Sequence, residues 1–367
     1  MDLITGQAPF GLTIREEPKR EKTMTYYAAL DVGVRSLALC IIDDDGEIRH
    51  ERNLASEVDD VVACLRDFGE EIECVGFEAG TLTQWLTYGL RAAGFRAVVM
   101  EARHVKAALG AMRNKTDRND ARGIAQILRS GWYREMHVKS LESHYVRTLL
   151  ASRKALLRKC IDLENEVRGL LKVFGIKLRK GIRHGAFDRA ARGPVEANAA
   201  LAHALIPLLD VRLELHKAFL ELDRRVKALA HKDEVCLLLM TTPGVGTIAA
   251  LTFRAAVDDP RRFRRSKNVA AHFGLTPRRH QSGERDTPGH ISKAGDTEVR
   301  SALYAAANII LTRSAKWSSL KAWGVRLARS KGRKRALVAI ARKLAVILHR
   351  MWIDGTPFSF TEAEAAS

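Results

Sequence analysis

Residues 26–32 read Tyr-Tyr-Ala-Ala-Leu-Asp-Val, a short apolar run that closes on Asp31, and the segments on its C-terminal side decide the fold. Next comes SLALCIID (36–43), then the turn DDDG (43–46) and a third run, EIRHER (47–52). The Asp45–Gly46 pair between apolar runs predicts a hairpin. SEVDDVVACLRDFG (56–69) has helical spacing, with Ser56 as its expected N-cap and Gly69 at its end. IECVGFE (72–78) reads as a buried strand, LTQWLTYGLRAAG (82–94) as a helix and RAVVMEA (96–102) as another strand. Two helical stretches follow, RHVKAALGAM (103–112) and DRNDARGIAQILRSG (117–131). A strand meander followed by alternating helices and strands implies a mixed sheet with helices packed on it.

Beyond residue 140 the strand signal vanishes. YVRTLLASRKALLRKCIDLENEVRGLLKVFG (145–175) and LLDVRLELHKAFLELDRRVKALA (208–230) carry apolar residues three and four apart amid charge. Two long helices joined by the Gly- and Arg-rich link 181–198 fit an antiparallel coiled-coil arm, and equally two helices of a globular bundle. Residues 236–353 read as mostly helical, interrupted by TTPGVGT (241–247), FGLTPRRHQSG (273–283) and TPGHISKAGD (287–296). The expected fold class is thus α/β plus α. Its expected domains are a disordered leader (1–24), a mixed-sheet domain (25–138), a helical arm (139–232), a mostly α domain (233–353) and a disordered tail (354–367).

At 367 residues the chain exceeds one ordinary core, and its 46% hydrophobic content suffices for sizeable ones. The net charge is +18 and the pI about 9.9. The excess concentrates in RRFRRSK (261–267), PRRH (277–280) and RSKGRKR (329–335), which favours a polyanionic partner, nucleic acid first. No apolar run is long enough to span a membrane, and the first 22 residues lack a signal peptide's apolar block. Cys40, Cys64, Cys74, Cys160 and Cys236 show no C-x-x-C spacing, so reduced thiols in a cytoplasm are expected rather than disulfides or zinc.

Four acids suggest chemistry. Asp31 ends the first strand just before a Gly-containing turn, and Glu78 ends the fourth. Asp117 and Asp120 share one face at the start of a helix. Singly, each has a plainer reading as a turn former, a solvated strand end or a cap. Together, carboxylates converging in a basic chain point to divalent cations, Mg²⁺ or Mn²⁺, and to phosphoryl transfer.

In the C-terminal part, LLMTTPGVGTIAALTF (238–253) fits a helix-hairpin-helix, whose turn at Gly244 and Gly246 would aim backbone N–H groups at a phosphate. A plain tight turn with both glycines in strained conformations fits as well. Ser282 stands in a Gly-, Pro- and Arg-rich loop flanked by Arg278, Arg279 and Arg285. Its hydroxyl could attack a phosphate only with a base, which nothing obvious nearby supplies, though His280 or a metal could; by itself a serine before glycine in a loop reads as a turn residue.

LDVG (30–33), FEAG (77–80), KTDRNDA (115–121) and the block PGVG…FGLTPRRHQSG…ISKAGD…VRSAL (243–303) resemble the DEDD transposases of the insertion-sequence family numbered one hundred and ten. The resemblance covers Tyr26 to Leu311. It implies an RNase H-like (RuvC-like) catalytic domain, a coiled-coil linker and a C-terminal transposase domain in a bacterial, nucleoid-associated protein. It further implies a site-specific recombinase of donor and target DNA, guided by a structured bridge RNA that pairs with both. Carried across, the metal-binding tetrad falls on Asp31, Glu78, Asp117 and Asp120, and the nucleophile that links covalently to DNA on Ser282. Nucleic-acid contacts are expected from Gly244, Gly246, Arg278, Arg279, Arg285, Lys293 and Arg300. Dimers or tetramers would join one subunit's acids to another's serine. Three rivals compete: a RuvC-like junction nuclease that uses water, an actin-like ATPase or sugar kinase suggested by LDVGVRS (30–36), and a non-catalytic nucleic-acid-binding protein.

Overall fold

The computed structural model describes residues 24–110, 112, 114–282 and 285–361, and the side chains of all these except 279–288. The leader, residues 1–23, lies outside that range, as do residues 362–367 of the tail. The chain forms two compact units, one ending at Val138 and the other beginning at Lys139.

The first unit holds β1 (Tyr26–Val32), β2 (Ser36–Ile42), β3 (Ile48–Ala55), α1 (Val58–Asp67), β4 (Ile72–Glu78), α2 (Thr83–Ala92), β5 (Ala97–Met100), α3 (Ala102–Leu109) and α4 (Asp117–Ser130). Its sheet runs β3-β2-β1-β4-β5. The first three strands form the expected antiparallel meander, and β1, β4 and β5 are parallel. Alternate side chains pack on opposite layers. Leu30, Leu39, Val75, Phe77 and Val99 meet Val61, Leu65, Leu86 and Leu90 of α1 and α2. Ala29, Cys40, Cys74, Val98 and Met100 meet Ala121, Ile124, Ala125 and Leu128 of α4. Burial on both faces explains the nearly continuous apolar runs of the central strands. Gly46 supplies the positive φ (91°) of the β2–β3 turn, and the Asp43 carboxylate accepts from the Asp45 and Glu47 amides.

Ser56 departs from its expected role. Glu57 precedes α1 as its cap, and the Ser56 hydroxyl donates instead to the Gly33 carbonyl at 2.9 Å. Capping was the local expectation for a serine before a helix; a long-range partner displaced it.

The second unit opens with α5 (Leu141–Val173), α6 (His184–Glu196) and α7 (Ala199–Lys232). Arg153 pairs with Asp223, and farther along α5 Glu164 pairs with Arg212, nearer the start of α7, so the two helices are antiparallel. The link is not irregular chain: α6 folds back so that Phe187, Ala191 and Val195 pack with Val167, Leu171, Leu205 and Leu209. Beside that core, Arg212 (1% exposed) donates to Glu164 and to the His184 carbonyl, and His184 Nδ1 lies 2.9 Å from Glu164.

Then come α8 (Glu234–Met240), α9 (Thr247–Val257), a single 3-10 turn (Pro260–Arg262), α10 (Lys267–His272), β6 (Pro277–Ser282), β7 (Arg285–Ile291), α11 (Thr297–Thr312), α12 (Ser319–Lys331) and α13 (Arg333–Asp354). The core gathers Leu239, Phe253, Phe273, Leu303 and Leu344 together with Val146 of α5. The arm and the mostly α domain, expected as separate, therefore share one unit.

Two further expectations fail here. Residues 277–282 and 285–291, read as loop, form an antiparallel ribbon, because a sequence polar along both strands hides the alternation that marks a strand. The tail, expected to be disordered from residue 354, is tied down as far as it is described. Asp354 closes α13, Phe358 packs on the core, its amide donates to Thr241 Oγ1 at 3.0 Å, and the Phe360 carbonyl accepts from Ser319 at 3.2 Å.

Candidate active site

Glu78 ends β4, and Asp31 is the last residue but one of the neighbouring parallel strand β1. Leu30 is in register with Phe77, so the two acids are the next pair at the C-terminal edge. The alternation of each strand fixes their face. Ala29 and Cys74 lie under α4, and Asp31 and Glu78 stand an even number of residues beyond them. Gly76 lets that helix come close, since a Cβ there would lie 2.8 Å from a Leu128 methyl. The first turn of α4 then brings Asp117 and Asp120 to the same edge. Thr116 caps the helix by accepting from the Asn119 amide at 3.2 Å, and the helix N-terminus offsets part of the acids' charge.

Electrostatics register the convergence. Burial, then Asp120, Asp117 and Glu78 in that order, push the Asp31 carboxyl up to about 6, with Lys115 opposing. Glu78 is also raised, by burial first; Lys115 and Lys106 oppose while Asp120 adds to it. The Lys115 ammonium stands 3.9 Å from Asp120 Oδ2 and is itself exposed. Against Asp117 lies a cleft of about 490 Å³, lined also by Ser36, Leu37, Asn53, Thr116 and Arg118.

Four carboxylates are an all-oxygen donor set of the kind Mg²⁺ and Mn²⁺ prefer, and a divalent cation would cancel the repulsion that adds to burial in lifting Asp31. In donor chemistry and convergence the residues fit such an ion. Their spacing is looser than a ligand set: among the described residues, no three His, Cys, Asp or Glu stand close enough to hold a metal.

The C-terminal candidates lie in the other unit. Ser282 is the last residue of β6, in register with Arg285 across the ribbon; the side chains of Arg279, His280, Ser282 and Arg285 lie outside the described residues. Arg278 is exposed and donates to the Ser292 carbonyl at 3.2 Å. Gly244 has φ 81° and presses on α11, where a Cβ would lie 2.5 Å from the Ala306 carbonyl oxygen. Gly246, which precedes α9, has no positive φ and faces open space. The two glycines thus divide the turn between packing and openness. Lys293 is exposed with φ 55°, its amide bonded to the Gly274 carbonyl at 3.1 Å. Arg300 is committed internally, donating to the carbonyls of Phe273, Ala294 and Gly295 and to Thr297 Oγ1.

Sequence reasoning missed Glu51. On β3 it accepts from Arg118 at 2.9 and 2.5 Å and from Arg122 at 2.6 and 2.8 Å. Hydrogen bonds from Arg122 and Arg118 hold its carboxyl down at about 2. The available signal was the stripe Arg118, Arg122, Gln126, Arg129, a polar row on a helix otherwise facing the sheet.

The first unit thus brings four acids towards one edge of a mixed sheet, and the second unit is basic and mostly helical. Relatives identify the family. A family model described as "Transposase IS116/IS110/IS902 family" matches residues 236–322, and a second, described as a transposase, matches 28–176. The transposase for insertion sequence element IS1111A of Coxiella burnetii is 30% identical over 90% of this chain and 91% of its own length. A probable family 20 transposase of Pseudomonas aeruginosa is 30% identical, over 78% and 86%. A pilin gene-inverting protein of Moraxella bovis is 31% identical over 33% of this chain and 38% of its own. Among solved structures, T. thermophilus RuvC in complex with Holliday junction substrate aligns with 30% of this chain and 99% of that one. At 16% identity and a TM-score of 0.23, that likeness is too slight to carry an argument. The chain belongs to the IS116/IS110/IS902 family of transposases and is a DNA transposase. Among its described residues no helix is long and apolar enough to cross a membrane.

Proposed function

We propose that this transposase cuts and rejoins donor and target DNA at the acidic edge of an RNase H-like sheet, with Ser282 as the attacking group. The observation that carries the reading is the convergence on Asp31, whose carboxyl is lifted to about 6 by burial first and then by Asp120, Asp117 and Glu78. Asp31, Glu78, Asp117 and Asp120 would hold Mg²⁺ or Mn²⁺, which when bound activates an attacking oxygen and neutralises the one that leaves. Lys115 lies beside the acids and meets the charge of an incoming phosphate. In the attack the Ser282 oxygen bonds to phosphorus, the displaced sugar oxygen departs, and the serine proton passes to a base. That base is His280 or a carboxylate of a second subunit.

Delivery of the polyanion falls to the second unit. The Gly246 amide at the open start of α9, with Arg278, Arg279, Arg285 and Lys293, contacts nucleic-acid backbone. Arg300 belongs to the scaffold instead, because carbonyls already occupy it. A structured guide RNA selects the DNA sequences, and a dimer or tetramer unites acids and serine from different copies.

The test is strand exchange on a donor–target pair, with the guide RNA supplied. Ser282→Ala and Asp117→Asn should each abolish it, and only the first should leave a DNA-serine adduct unformed while divalent-cation binding persists. Cleavage that survives Ser282→Ala would instead identify a nuclease that uses water.

A further inference from the structure

Four side chains of α4 reach across to the β2–β3 hairpin from one stripe of the helix. Arg118 and Arg122 grip Glu51, Gln126 Nε2 donates to the Gly46 carbonyl at 2.8 Å, and Arg129 Nη1 donates to the Asp44 carbonyl at 2.9 Å. The C-terminal half of the helix is thus tied by backbone carbonyls. Its N-terminal half, which carries Asp117 and Asp120, is tied by one carboxylate. Glu51 lies opposite Cys40 of β2, and Cys40 opposite Ala29 of β1, two residues before Asp31. A single row of paired residues therefore runs from the clamp to the strand that bears Asp31.

We infer that Glu51 is a positioning residue of the transposase: its double arginine clamp fixes the first turn of α4, and with it Asp117 and Asp120, in register with Asp31 and Glu78. Bidentate geometry suits that task, since a guanidinium held at two nitrogens cannot rotate about a single bond. Arg118 is flanked in sequence by Asp117 and close to Asp120, so its orientation is transmitted to both acids within one helical turn. A carboxylate also answers two guanidinium charges that would otherwise compete for the site's acids. The inference rests on the reading of the four acids as a cation site.

Glu51→Gln in the full-length protein tests it by two measurements: Mn²⁺ affinity from electron paramagnetic resonance, and amide hydrogen exchange of residues 117–122. Loss of a group that orients metal ligands weakens binding by roughly 10- to 100-fold. The expected result is a fall of that size with faster exchange in the first turn and a melting temperature close to wild type. Arg129→Gln, which loosens only the other end of α4, should leave Mn²⁺ affinity unchanged. Wild-type affinity in Glu51→Gln overturns the inference, as does an equal loss in Arg129→Gln. Should Glu51→Gln fold poorly, Arg118→Lys with Arg122→Lys keeps the charges while removing the forks, and the same two readouts apply. If wild type binds no Mn²⁺, the cation reading fails by itself. Exchange in the first turn then decides for Glu51: unchanged exchange overturns its role, and faster exchange sustains it.

Discussion

The Ser56 hydroxyl donates to the carbonyl of Gly33 at 2.9 Å, so a residue just past β3 holds the turn that follows Asp31. The turn has little slack, because a Cβ on Gly33 would lie 2.6 Å from the Ser36 carbonyl oxygen. Ser56→Ala removes one hydrogen bond and should cost about 1 kcal/mol. Its effect on strand cleavage at the melting-corrected temperature should be larger, since the turn that places Asp31 loosens. Gly33→Ala, which forces backbone to move, should abolish cleavage; an active, fully stable Gly33→Ala would show that the turn does not position the acid.

Gly76 sits beneath Leu128 and Met100, both buried. An added methyl overpacks this layer by about 1–3 kcal/mol. Gly76→Ala should lower the unfolding midpoint in urea and also push α4 from the sheet, reducing cation affinity. The double variant Gly76→Ala/Leu128→Ala, with room restored, should recover part of both, and its failure to do so would argue against crowding as the cause.

The arm depends on a buried ion pair. Removing one partner from such a pair costs about 3–5 kcal/mol, whereas replacing both by apolar residues can be neutral. Glu164→Ala should therefore melt the arm, seen as lost helical ellipticity at moderate temperature. Glu164→Leu with Arg212→Met should restore it. Equal damage from the single and double changes would assign the node's importance to His184 instead.

Asp296 is one of the carboxyls that make stability sensitive to acid. Burial alone would raise its carboxyl, but hydrogen bonds and charge from Arg147, then the Glu298 and Val299 amides, hold it below the ordinary 3.8. A carboxyl depressed in the folded state stabilises above its unfolded value, and that contribution is lost as pH falls through the folded one. Unfolding between pH 7 and 5 should be insensitive to this group, and a loss should begin below about 4. Asp296→Asn should lower stability at pH 7 and flatten the acid limb. A variant with an unaltered limb would assign the acid sensitivity elsewhere.

The first unit was readable because its signals are local. Its strands are apolar, its turn carries Asp-Gly, and its acids sit at element ends where position implies convergence. The ribbon of β6 and β7 escaped because its sequence is mostly charged and polar and offers no alternation to read. Phe358 and Phe360 looked like isolated apolar residues in a polar tail, and nothing local could tell that the α13 core would receive them. Glu51 and Ser56 were invisible for another reason: each acts through a partner far along the chain, and spacing rules see only near neighbours.

Among the described residues, strand β3 has a neighbour on one side only. A bare strand of this kind can recruit a matching strand from another molecule, a hazard for a basic protein concentrated along one polymer. Its sequence, Ile-Arg-His-Glu-Arg-Asn-Leu-Ala, spaces ionic groups along the rim, and such groups discourage that addition. Glu51, the one charge of that row that grips α4, thereby also belongs to the set that keeps each molecule's sheet from fusing with the next.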